Sequence, residues 1–93
     1  MDFEWDNDKR LSNFNKHGID FVDATAVLVT PSYTVRSKHL SEARWITIGE
    51  LDGVLIAVIW TWRNETQRLI SARRARPNER KDYARHIGTG SIG

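Results

Sequence analysis

The sequence predicts an α+β domain, an antiparallel β-sheet packed with two N-terminal helices and a short C-terminal helix. Three observations carry this. Two early segments repeat apolar residues at helical spacing between capping signals, the first from Asp6 to Gly18 and the second from Asp20 to Pro31. Residues 33–73 then alternate stretches rich in β-branched and aromatic residues with short polar turns. The charged segment after them opens on Pro77, whose fixed φ suits a first helical position.

Each element has its own signals. "FEWD" reads as a short strand with Phe3 and Trp5 on one face. Asp6 fits a helix N-cap, because its carboxylate can accept the free amide hydrogens of the first turn. That helix is expected to run to His17 with Leu11 and Phe14 facing the core. Lys16 and His17 suit the dipole in its last turn, and Gly18 supplies the stop. Asp20 starts a second helix with Phe21, Ala24, Val27 and Leu28 as its apolar stripe. "YTVRS" is a weak strand before the polar stretch "KHLSEA". "RWITIGEL" and "VLIAVIWTW" flank Asp52-Gly53, a dipeptide that favours a two-residue hairpin turn. "VLIAVIW" is apolar on both faces, as a central strand covered on both sides requires. "QRLISAR" follows the turn "NET" and pairs back on it. The last helix has Glu79 in its first turn and only Tyr83, Ala84 and Ile87 as an apolar side. These elements make one domain over 1–87, with the Gly-rich "GTGSIG" of 88–93 as a disordered tail.

Composition narrows the chemistry. The absence of cysteine excludes disulfides and thiolate sites, and His17, His39 and His86 show no metal-ligand spacing. No metal or cofactor is therefore expected. "MDFEWDNDKR" lacks the layout of a signal peptide, and the longest apolar run is too short to span a bilayer. A cytoplasmic protein with no membrane association is expected. Charge is asymmetric: residues 1–62 carry six Lys/Arg against nine Asp/Glu, and residues 63–93 carry eight against three. The basic third points to an anionic partner.

Strand pairing places the arginines. A two-residue turn at Asp52-Gly53 makes paired residue numbers sum to 105, and a three-residue turn "NET" gives 130 for the next pair. Arg44, Ile46, Ile48 and Glu50 then share a face with Ala57, Thr61, Arg63, Leu69, Ser71 and Arg73. Trp45, Val58, Trp60, Trp62 and Ile70 form the opposite, core face. On this register Arg73 lies opposite Ala57, nearer Glu50, while Arg63 belongs to the Arg44 end. A second turn of two or four residues would bring Arg74 to this face instead.

"FEWDNDKRLSNFNKHGIDF" resembles the opening of the BrnT ribonuclease toxins, with Trp-Asp, a lysine three further on, and a Lys-His pair. "ARWITIG", "TWR" and "LISARRA", followed by Glu79 and Tyr83, resemble that family's strands and final helix, so the likeness covers residues 3 to about 84. It implies a RelE-like fold and a type II toxin that cleaves RNA and blocks translation. The implied partner is a BrnA-type antitoxin, through whose complex alone operator DNA is met. Two departures stand out. Arg76 replaces a threonine cap before the last helix, and Trp60 replaces a smaller aromatic.

RNA cleavage without a metal needs a base for the 2′-hydroxyl, positive charge at the pentacoordinate phosphate, and an acid for the leaving oxygen. Arg73 is the candidate for the phosphate, where strand face, neighbours and family motif agree. Arg74, Arg63, Arg44 and Lys16 are candidates for gripping the RNA backbone. His17 is the acid–base candidate by residue type, against a plain role at a helix end. Tyr83 can donate a proton or stack on a base, against a role as an apolar anchor. Glu50 is a base only if it shares a groove with Arg73. The alternative is a non-catalytic RNA- or partner-binding module with the same basic surface.

Overall fold

The computed structural model describes residues 2–38 and 42–88. His39 and nearly all of the expected disordered tail lie outside them. The elements run β1 (Phe3–Glu4), α1 (Asn7–His17), α2 (Phe21–Val29), β2 (Tyr33–Arg36), β3 (Trp45–Leu51), β4 (Val54–Arg63), β5 (Thr66–Arg74) and α3 (Pro77–Tyr83), which continues as one wide helical turn over Ala84–Gly88. The sheet order is β1-β5-β4-β3-β2, so the doubly apolar β4 is central as expected. β1 pairs parallel with β5, and all other pairs are antiparallel.

The caps form where the sequence puts them. Asp6 accepts from the amides of Asp8 and Lys9 at 2.8 and 3.3 Å, and a left-handed Gly18 closes α1. Asp20 accepts from the Val22 amide at 3.0 Å and opens α2. α2 lays Phe21, Ala24 and Val27 on Ile56, Val58, Trp60, Leu69 and Ala72, which together form the core. It approaches the sheet at Gly49, where a Cβ would meet Val27 Cγ1 at 2.7 Å. The buried indole of Trp60 donates to the Thr47 hydroxyl at 2.8 Å, so its polar atom is satisfied inside the core.

Two expectations fail instructively. α1 does not face the core with Leu11 and Phe14, which are 60% and 52% exposed. The residue it buries is Asn13, which the sequence reading passed over. β1 ends at Glu4, so β5 has no strand beside it past Arg68, and α1 lies there instead. The Asn13 amide donates to the carbonyls of Ala72 (2.9 Å) and Ile19 (3.1 Å) and accepts from the Ala72 amide (3.1 Å) and the Ser71 hydroxyl (3.2 Å). All four of its hydrogen-bonding positions are filled, and it stands in for the missing strand.

The second failure concerns register. The β4–β5 turn has two residues, Asn64 and Glu65, and pairs Arg63 with Thr66 rather than Gln67. A bulge at Ile70 then inserts one residue, restoring the pairing of Ala57 with Arg73 that the longer turn was expected to give. The placement of Arg73 is therefore right although the turn is wrong. Between turn and bulge the faces are exchanged: Leu69 belongs to the buried core, and Ile70 leaves it.

Asn13→Ala leaves the Ala72 peptide buried with neither partner. The expected loss is about 3 kcal/mol, a fall in Tm of about 10–20 °C for a domain of this size. Thermal denaturation checks it, and a fall of only a degree or two would remove Asn13 from its bridging role.

Candidate functional site

The two faces of the sheet are treated differently. One is covered by α2, with α1 along the edge of β5. Across the other runs α3, which contacts β3 and ends with His86 stacked on Tyr33 of β2, ring centroids 4.3 Å apart. α3 buries no residue of its own. What fastens its start is an ion pair: both terminal nitrogens of Arg73 meet Glu79, at 2.8 and 2.9 Å, and the two side chains are 16% and 12% exposed. Glu79 also accepts from the Arg76 amide at 2.8 Å, while Arg76 itself offers no side-chain cap. Burial works to raise the Glu79 carboxyl, but the hydrogen bonds from Arg73 and the Arg76 amide outweigh it, and the group ends below its ordinary value.

The rest of this face carries two adjoining clefts. The larger, about 560 Å³, sits near the turn end of the β4–β5 hairpin. Lys9, Arg44, Arg63 and Arg68 surround it, with Thr61 and Ile70. Arg44 is held by Glu42 at 2.8 Å and Arg68 by Glu4 at 2.7 Å, whereas Lys9 and Arg63 belong to no ion pair among the described residues. The smaller, about 220 Å³, lies between α1 and β5, lined by Lys9, Ser12, Asn13, Lys16, His17, Ile70 and Ser71. Lys9 and Ile70 border both. Asn13, by seating α1 against the edge of β5, is what brings Lys9, Lys16 and His17 to this surface.

The candidates from the sequence therefore separate. Arg44 and Arg63 meet in the larger cleft, and Lys16 and His17 in the smaller. Arg73 follows Ser71 by two residues on the same face, roughly 7 Å along the strand. Its fork is engaged by Glu79 and by the Arg74 carbonyl, which leaves two of its five N–H groups unspent. Arg74 is exposed in a separate hollow with Gly53, Val54, Leu55 and Arg80. Glu50 is exposed opposite Leu55, and the carboxylate beside Arg73 is Glu79 instead. Tyr83 is half-buried at the end of α3. Lys9 and Arg68 were missed as site residues. Lys9 had a signal, since Lys9, Asn13 and Lys16 recur at helical spacing as a polar stripe. Arg68 was hidden by the turn: the three-residue turn expected from the sequence puts it on the core face, and the two-residue turn puts it opposite Thr61.

A five-stranded sheet with α2 packed on one face, and α3 beside a cationic cleft on the other, defines a small α+β protein suited to meet a polyanion. The family model for the ribonuclease toxin BrnT of type II toxin–antitoxin systems matches residues 5–79, and the chain belongs to that family. Its fold is similar to the 1.1 Å crystal structure of the Brucella abortus ribonuclease toxin BrnT, with a TM-score of 0.63 and 34% identity over 82% of this chain and 97% of that one. No curated protein sequence matches significantly. Among the described residues no helix is long and apolar enough to cross a membrane.

The ion pairs predict an acid response. Arg10, bonded to Asp20 at 2.8 and 3.0 Å between α1 and α2, holds that carboxyl down to about 2, against an ordinary 3.8. Asp20 and Glu79 both have depressed folded values. Their contribution is complete above the ordinary carboxylate range and is lost as pH falls through the folded values. Tm is expected to hold from pH 7 to about 5 and to fall toward pH 2, with a shallower fall in Asp20→Asn. Parallel pH–Tm curves for the two proteins would remove the Arg10–Asp20 pair from the account.

Proposed function

We propose that this toxin is a metal-independent endoribonuclease that cleaves RNA on the open face of its sheet, so inhibiting translation, and that a BrnA-type antitoxin neutralises it. The observation that carries this reading is the adjoining of the two clefts, one a cationic grip and the other a polar notch with a histidine, along one exposed surface. Operator DNA would be met only through the toxin–antitoxin complex.

The chemistry assigned is transfer of a phosphodiester to its own ribose. The 2′-oxygen attacks phosphorus, the bond to the 5′-oxygen breaks, and a 2′,3′-cyclic phosphate and a 5′-hydroxyl result. His17 takes the 2′-hydroxyl proton, because imidazole exchanges protons at neutral pH. Lys16 beside it gives a proton to the departing 5′-oxygen. Arg73, past Ser71, meets the charge on the pentacoordinate phosphate with its two unspent N–H groups while Glu79 fixes its plane. Arg44 and Arg63 hold the strand. Arg73, Glu50 and Tyr83 line neither cleft. Arg73 is kept because it shares a face with Ser71 of the notch. Glu50 is exposed beside the β3–β4 turn and Tyr83 is half-buried at the end of α3, and both are left outside the reaction with Arg74.

Purified protein incubated with defined RNA in EDTA is expected to cut it, and His17→Ala to lower kcat by about 10²–10⁴-fold. RNA left intact, or equal cutting by the variant, would overturn the assignment; intact RNA bound with steep salt dependence would make the protein a binding module.

A second comparison isolates Arg73. If it meets the phosphate, Arg73→Ala abolishes cleavage while Glu79→Gln, which frees the fork, keeps a substantial part of it. Equal losses in both, tracking equal falls in Tm, would reduce the pair to a fastening for α3.

A further inference from the structure

We infer that the larger cleft is a built phosphate subsite, occupied by a phosphodiester of single-stranded RNA other than the one being cut, with Lys9 and Arg68 as the residues that define it. The inference rests on the ribonuclease reading for the identity of its occupant, and on the cleft itself for its existence.

Four cations converge there from four parts of the chain: Lys9 from α1, Arg44 from just before β3, Arg63 from the end of β4 and Arg68 from β5. Glu42 and Glu4 each engage one arginine. Four positive and two negative charges leave a surplus of two, which is unfavourable in the free protein and is relieved when an anion enters. Among the described residues each paired arginine is bonded through one nitrogen, Nε of Arg44 and Nη1 of Arg68, which leaves most of its donors without a partner there. The carboxylates thus orient the guanidinium groups without filling them. Side-chain exposures of 25% for Arg44 and 27% for Arg68 show both partly sheltered, where a charge–phosphate contact is less screened than on open surface.

The substrate class follows from position. Lys9 and Ile70 border both clefts, so an anion here continues into the Lys16–His17 notch. A polymer with a phosphate at every residue satisfies both at once. The lining of the larger cleft also includes Trp45 and the half-exposed Trp62, whose indole faces can stack on any base alike, and the Thr61 hydroxyl is spent on the Ala43 carbonyl at 2.6 Å. The subsite therefore grips backbone without choosing sequence.

The test uses an uncleavable 2′-O-methyl RNA hexamer, so that binding is read apart from cleavage. Lys9→Ala and Arg68→Ala are each expected to weaken its binding about tenfold and to reduce the slope of log K against log salt by about 0.7. Lys81→Ala, which removes a charge from exposed α3, should change neither by more than a fraction of that. Arg68→Lys keeps the charge if loss of the Glu4 pair unfolds β1, and circular dichroism with a melting curve monitors each variant. Equal effects from Lys9→Ala and Lys81→Ala would overturn the subsite in favour of diffuse attraction. Inorganic phosphate titrated into labelled protein supplies the other arm: saturation of the cleft by free phosphate at concentrations where the hexamer fails to compete would overturn RNA as its occupant. Hexamer binding with the expected variant pattern, in a protein that cuts no RNA, would sink the ribonuclease reading and leave the subsite standing.

Discussion

The amide of Asn13 is the contact from which most of this architecture follows. β5 is the second strand of the sheet, yet β1 covers only its first residues, and beyond Arg68 its outer edge would present bare peptide groups. Such an edge must be paired, covered or charged. One asparagine 7% exposed, with both donors and both acceptor positions used, closes it and moors a whole helix there. The mooring is polar, so α1 needs no apolar stripe. The Arg10–Asp20 pair then ties α1 to α2, which does pack by hydrophobic burial. One polar clasp and one ion pair thereby hold a helix whose outward side carries its two large apolar residues.

This explains where the sequence was readable and where it was not. Caps, turns and strand alternation are local, so Asp6, Gly18, Asp20, Asp52-Gly53 and Pro77 marked their elements correctly. α2 was legible because its burial is ordinary hydrophobic periodicity. α1 was not: Leu11 and Phe14 are the apolar residues of that helix, and a preference for burying them is overridden by a hydrogen-bonding demand that arises 59 residues away. The Glu79–Arg73 pair was hidden for a similar reason. Glu79 reads locally as a first-turn acid, and only the crossing of α3 over the sheet turns it into the partner of a strand arginine.

Charge on the open face is distributed by three supports that meet along β5. α1 carries Lys9, Lys16 and His17, the sheet carries Arg44, Arg63, Arg68 and Arg73, and α3 supplies the acid that holds Arg73. The opposed demands of a free cationic surface and a stable fold are met by carboxylates at the margins, Glu4, Glu42 and Glu79, each engaging one arginine. A surface of unpaired arginines would repel itself; a fully paired one would have nothing left for a polyanion.

The bulge at Ile70 has a consequence for how such a domain tolerates change. It divides β5 into two segments of opposite phase, so the hairpin end and the Arg73 end are set independently. Insertions or deletions at the Asn64-Glu65 turn are absorbed upstream of the bulge, much as a slack link isolates one end of a chain from the other. Two consecutive arginines follow it. Should the phase slip by one residue, Arg74 turns to the open face as Arg73 leaves it, and the position keeps its charge. A strand that appears irregular is in this respect a shock absorber between a variable turn and an arginine whose place on the sheet must not move.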